Sequence, residues 1–86
     1  MAANRLELSP RAIRDLKKLP AGIQFRLKGH IEALSSNPRP RGVLKLNGDA
    51  NAYRLRVADN RVLFEIHDEV LMVIVLKVAD RKEAYR

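Results

Sequence analysis

The chain has 86 residues and no cysteine, and its 17 Lys and Arg stand against 10 Asp and Glu for a formal charge of +7. A chain this short buries roughly 60–65% of its unfolded surface, enough for one domain over 1–86 and too little for a deep cofactor cavity. Lack of cysteine excludes disulfides and thiolate metal sites, and the basic excess points to a polyanionic partner.

His30 and His67 have no ligand spacing, so neither a metal nor a cofactor is expected. The N-terminal MAANRLEL has no apolar core for a secretory signal. No apolar run reaches the roughly 20 residues of a membrane span. A cytoplasmic chain without a membrane partner is the expectation.

RLEL (Arg5–Leu8) alternates and predicts a short strand. Ser9 then offers an N-cap and Pro10 a first helical residue, with Ile13, Leu16 and Leu19 at helical spacing before Pro20 closes the helix. A second helix starts near Ala21 and carries Ile23, Leu27, Ile31 and Leu34 on one stripe until Ser35-Ser36-Asn37-Pro38 stops it. Residues 37–50 predict a turn-rich connection. Three strands follow, AYRLRV (52–57), RVLFEIH (61–67) and VLMVIVLKV (70–78), and their short polar connections predict antiparallel hairpins. The order is β-α-α-β-β-β, an α+β domain with an N-terminal helical hairpin packed on one face of a mainly antiparallel sheet.

Period-two alternation assigns the faces. Tyr53, Leu55 and Val57 share one side with Val62, Phe64 and Ile66. Arg54 and Arg56 take the other, with Arg61, Leu63, Glu65 and His67. The last strand is apolar on both sides, which suits a central position. If the helices cover one face, Arg54, Arg56 and Arg61 converge, exposed, on the open one. Six basic and two acidic residues lie between Asn37 and Arg61. Arg41 and Lys45 in the connection and Arg81, Lys82 and Tyr85 in the tail extend the set. The first-helix cations Arg11, Arg14, Lys17 and Lys18 read as a solvated face.

Guanidinium groups along a strand pair suit a phosphodiester backbone, since each binds phosphate through a planar fork and stays charged. RNA can be cut without a metal, because its own 2′-OH can attack the adjacent phosphate once it is oriented and the extra charge is stabilised. Arginine cannot readily serve as the base. Tyr85, Lys77, Glu65 and His67 are the titratable alternatives.

The DLKKLP helix, NPRPRGVLKLNG, YRLRVADNRVLFEI and the closing VLKVADRKEAYR together resemble RelE-type toxins of the RelE/ParE superfamily over essentially the whole chain. The resemblance implies a fold like that of microbial ribonucleases. It also implies a type II toxin–antitoxin toxin that enters the ribosomal A site and cuts messenger RNA there by the metal-free route. On that resemblance Arg54 and Arg56 match two basic strand residues, and Arg61 matches the arginine that stabilises the transition-state phosphate. Arg81 matches a second phosphate arginine, and Tyr85 the tyrosine that contacts the target base. Lys45, Lys82 and Arg41 complete the expected RNA-binding set. In the best-known members both strand positions are lysine; arginine keeps the phosphate role and not the proton-acceptor role. The implied partners are an acidic cognate antitoxin, in a hetero-oligomer, and the ribosome with its message. The alternatives are a ParE-like poison of DNA gyrase that acts by binding, and an inactive toxin that only binds nucleic acid or antitoxin.

Overall fold

A computed structural model of the chain describes residues 3–46, 48 and 51–80. Its elements run β1 (Arg5–Leu8), α1 (Pro10–Lys17), α2 (Ala21–Ser36), β2 (Leu44–Lys45), β3 (Ala52–Val57), β4 (Asn60–His67), a 3-10 turn (Asp68–Val70) and β5 (Met72–Asp80). Five strands form one sheet in the order β1-β5-β4-β3-β2. β1 lies parallel to β5 and the other neighbours are antiparallel. The expected β-α-α-β-β-β order is present, with one addition. Leu44–Lys45, inside the expected turn-rich connection, pairs with Arg54 and Tyr53 as a short edge strand. Two residues are too few to show a period.

Ser9 sets the start of α1. Its hydroxyl accepts from the Ala12 N–H at 3.0 Å and donates to the Leu76 carbonyl at 2.7 Å. The same residue thus caps the helix and fastens it to β5. Ala12 and Leu16 form the buried side of α1, whereas Ile13, expected at the core, is 42% exposed. An eight-residue helix buries a narrow stripe, and Ala12 and Leu16 occupy it. Leu27, Ile31 and Leu34 of α2 are buried as the helical stripe requires.

The core lies between this hairpin and the sheet. Tyr53, Leu55, Val57, Val62, Phe64, Ile66, Val73, Val75 and Val78 face it. Tyr53 and Phe64 stand directly opposite on β3 and β4, their rings stacked at 6.1 Å and 25°.

β5 begins two residues later than alternation suggests. Asp68–Val70 forms the 3-10 turn and Leu71 adopts a left-handed φ of 51°, so the strand starts at Met72. β5 lies between β1 and β4, the central position expected of it.

The register of β4 against β5 shifts between Leu63, opposite Lys77, and Phe64, opposite Val75, so Leu76 is the extra residue of a bulge. Ser9 satisfies its carbonyl, and the Val78 N–H donates to Asp15 Oδ2 at 3.0 Å. The Asp15 side chain is only 14% exposed. Asp15→Ala is expected to cost about 1–3 kcal/mol by leaving that N–H without an acceptor, and Asp15→Asn less, because an amide oxygen can still accept. Denaturant midpoints of the two variants check this.

Candidate nucleic-acid interface

Helices cover one face of the sheet. The cross-strand register defines what the other face holds. Arg56 of β3 is directly opposite Arg61 of β4, which is opposite Ala79 of β5. In the adjacent row Leu44, Arg54, Leu63 and Lys77 follow one another across four strands. Diagonal neighbours on one face lie roughly 7–8 Å apart. Arg54, Arg56, Arg61 and Lys77 therefore form one cationic cluster spread over three strands.

The convergence of Arg54, Arg56 and Arg61 agrees with alternation, and the expected exposure fails at Arg61. Arg56 is exposed and Arg54 half-buried, but Arg61 is only 6% exposed. β4 sits between two strands, so neighbouring residues cover Arg61 from both sides, the guanidinium Nε included. Burial restricts its rotamers, so a ligand reaching it meets a guanidinium already held in place.

Lys45 is in register with Tyr53 and thus on the opposite face from Arg54, where it is exposed. Leu44 takes the place beside Arg54. Arg41 lies exposed in the turn before β2. Arg81, Lys82 and Tyr85 lie outside the described residues.

Lys77 is the member of the cluster that alternation does not place on this face. Counting by twos from Val73 and Val75 puts it toward the core, and the bulge at Leu76 reverses the parity. The signal in the sequence is a broken alternation, with core valines at 75 and 78 three positions apart. Glu65 and His67 are hydrogen-bonded to each other at 3.0 Å. Glu65 is four residues from Arg61 along β4, roughly 13 Å at strand rise. Across the strands Glu65 stands diagonal to Arg54 and is tied to His67, whereas Lys77 stands diagonal to Arg61, so among the described titratable alternatives Lys77 is the one beside Arg61. No group of three or more His, Cys, Asp or Glu that could hold a metal ion occurs among the described residues.

Arg39 escaped sequence reading. Its guanidinium donates to both Asp68 oxygens, at 3.0 and 2.8 Å, and to the Tyr53 hydroxyl at 3.1 Å, and it lies 5.1 Å from the Tyr53 ring centre. Nothing at a separation of 29 residues signals this pairing in the chain. It ties the Pro38–Pro40 loop to the turn before β5. The hydrogen bonds from Arg39 hold the Asp68 carboxyl below its ordinary range, and those with Asp68 and then Tyr53 raise Arg39. A depressed carboxyl stabilises the fold above its unfolded pKa of about 4, and that contribution disappears as pH falls through the lower folded value. At pH 7 Asp68→Asn is expected to melt below the parent chain. The gap should close progressively below about pH 4, as melting curves across pH will read.

Fold and site define a small α+β protein with a cationic sheet face. The sequence profile of the ParE toxin of type II toxin–antitoxin systems, parDE, matches residues 6–85. The chain is 31% identical to RelE1 of Methanocaldococcus jannaschii over 84 residues, 94% of this chain and 93% of that one. It superposes on a chain of the archaeal RelE–RelB complex from Pyrococcus horikoshii with a TM-score of 0.83 and 27% identity, over 94% of this chain and 97% of that one. With the toxin–antitoxin complex RelBE2 of Mycobacterium tuberculosis the TM-score is 0.80 and the identity 30%, over 92% and 99%. The chain belongs to the ParE toxin family of type II toxin–antitoxin systems, and within it the chain is a toxin of RelE type.

Proposed function

We propose that the chain is a ribosome-dependent endoribonuclease that cuts messenger RNA in the A site and is neutralised by a cognate acidic antitoxin. The observation that carries this is the placement of Arg56 directly opposite Arg61, with Arg54 in the next row. Like charges directly opposite on a sheet destabilise it. An anion set between them reverses the sign, and a phosphate fits the two planar forks. A phosphorane carries more charge than the phosphate it forms from, so the same groups bind the transition state more strongly than the substrate.

In the reaction the 2′-oxygen bonds to phosphorus, the bond from phosphorus to the 5′-oxygen breaks, and the proton lost from the 2′-OH is balanced by one gained at the 5′-oxygen. The products are a 2′,3′-cyclic phosphate and a 5′-OH. Arg61, with Arg81 by resemblance, stabilises the phosphorane. Arg54 and Arg56 hold the strand, and Tyr85 contacts the base. The antitoxin follows from the RelB partners of similar RelE chains and from a +7 surface that attracts an acidic segment.

The ParE profile favours a second function, a gyrase poison that needs no RNA site. Induction of the chain in a bacterium without its antitoxin, followed by primer extension, separates the two. Cuts within codons on a translated message, absent from an untranslated copy, are expected. Growth arrest with intact message would move the chain to the gyrase branch.

A further inference from the structure

β1 pairs with β5 only as far as Val75. Past that point α1 lies against β5, held by the Val78 N–H to Asp15 bond. Between the helix and the strand is a cleft of about 770 Å³, whose walls carry Arg11, Arg14, Lys18 and Lys77. Asp15 and Asp80 also line it, with Leu19 and Val78 as its apolar part. Asp15 is engaged by the β5 backbone and by Arg11 at 3.6 Å. Arg14, Lys18 and Lys77 make no ion pair among the described residues.

Lys77 belongs to two places at once. Its register sets it in the row of Leu63 and Arg54 on the open face, and it also lines the cleft. The bulge makes this possible by turning Lys77 away from the core at the stretch where β1 no longer flanks β5. Lys77 is therefore common to the sheet cluster of Arg54, Arg56 and Arg61 and to the cleft that holds Arg14 and Lys18, with Asp15 and Asp80 also on the cleft's walls.

We propose that this cleft is a second binding site for the RNA backbone, holding phosphates of the same strand beyond those on the sheet arginines. The inference rests on the RNA function proposed above. Among the described residues the cleft is lined by four cations, two carboxylates and two apolar side chains. Such a lining suits a phosphate chain better than an amphipathic protein segment, which needs apolar surface to bury. Each phosphate held in this way adds about 0.7 to the salt slope of single-strand binding.

The test uses 2′-O-methyl oligoribonucleotides, which lack the attacking hydroxyl, in a short form of about four nucleotides and a long form of about twelve. Arg14→Ala/Lys18→Ala is compared with the parent chain and with Arg56→Ala, after thermal melting has shown all three folded. The double variant is expected to bind the long strand several-fold more weakly, with a salt slope shallower by about 1.4. It should bind the short strand as the parent does. Arg56→Ala should weaken both. Equal losses on both lengths for the double variant would overturn the proposal, since they report a general field and not a site. So would unchanged binding of the long strand while Arg56→Ala still weakens it, a result that leaves the sheet site standing. If neither variant changes binding, the RNA function of the sheet fails too. Loss of antitoxin or ribosome binding with oligonucleotide binding intact would assign the cleft to that partner and overturn its role here.

Discussion

Arg61→Ala is expected to slow cutting of a translated message by about 10²–10³-fold, the effect of removing one preorganised donor from a developing negative charge. The size follows from where Arg61 sits. It is 6% exposed on a central strand, with Arg56 opposite it and Arg54 in the adjacent row. Burial lowers the local dielectric and excludes competing water, so a donor there counts for more than one on the surface. Arg61→Lys keeps the charge and loses the fork, and should fall between the parent and the alanine variant. Arg61 lies outside the apolar core cluster, so a folded, less active protein is the expected combination. Primer extension gives the rates, and melting curves give the fold. An Arg61→Ala chain that is folded and cuts within a few-fold of the parent rate would sink the transition-state role.

The second large effect concerns the core. Phe64→Ala should destabilise the fold by about 3–5 kcal/mol, the range for removing a buried aromatic ring and leaving a cavity. Phe64 has no exposed surface and stacks on Tyr53, the residue directly opposite. Tyr53 in turn receives the Arg39 hydrogen bond that, with Asp68, holds the Pro38–Pro40 loop in place. A void at Phe64 thus loosens both the sheet centre and that loop. Since small domains are stable by only about 5–15 kcal/mol, a large share of the molecules should be unfolded well before the parent melts. Phe64→Leu fills more of the space and should cost less. A loss under about 1 kcal/mol for the alanine variant in denaturant titrations would show that the site collapses freely.

Much of the fold is written in local patterns. Ser9 and Pro10 start the first helix as cap and first residue. Leu27, Ile31 and Leu34 form a helical stripe, and alternation from Tyr53 to Val57 and from Val62 to Ile66 marks the buried sheet face. In each case the signal lies within a few residues and a single period describes it. The misplacements share one cause, a contact that period alone cannot express. Ile13 is exposed because α1 buries only the narrow side that carries Ala12. Leu44–Lys45 is a strand only because β3 is there to receive it. Asp68–Val70 turns where Arg39, 29 residues earlier, binds Asp68.

By itself the sequence determined the order of the long elements, the basic character of the chain and which residues of β3 and β4 point away from the core. Charge is additive and alternation is local, so both survive without knowledge of the fold. Only the tertiary structure decided that Arg61 is buried and set against Arg56, that Lys45 belongs to the opposite face, and that Lys77 joins the arginines. Register pairs residues distant in the chain, and one inserted residue, Leu76, reverses the facing of everything that follows it along the strand.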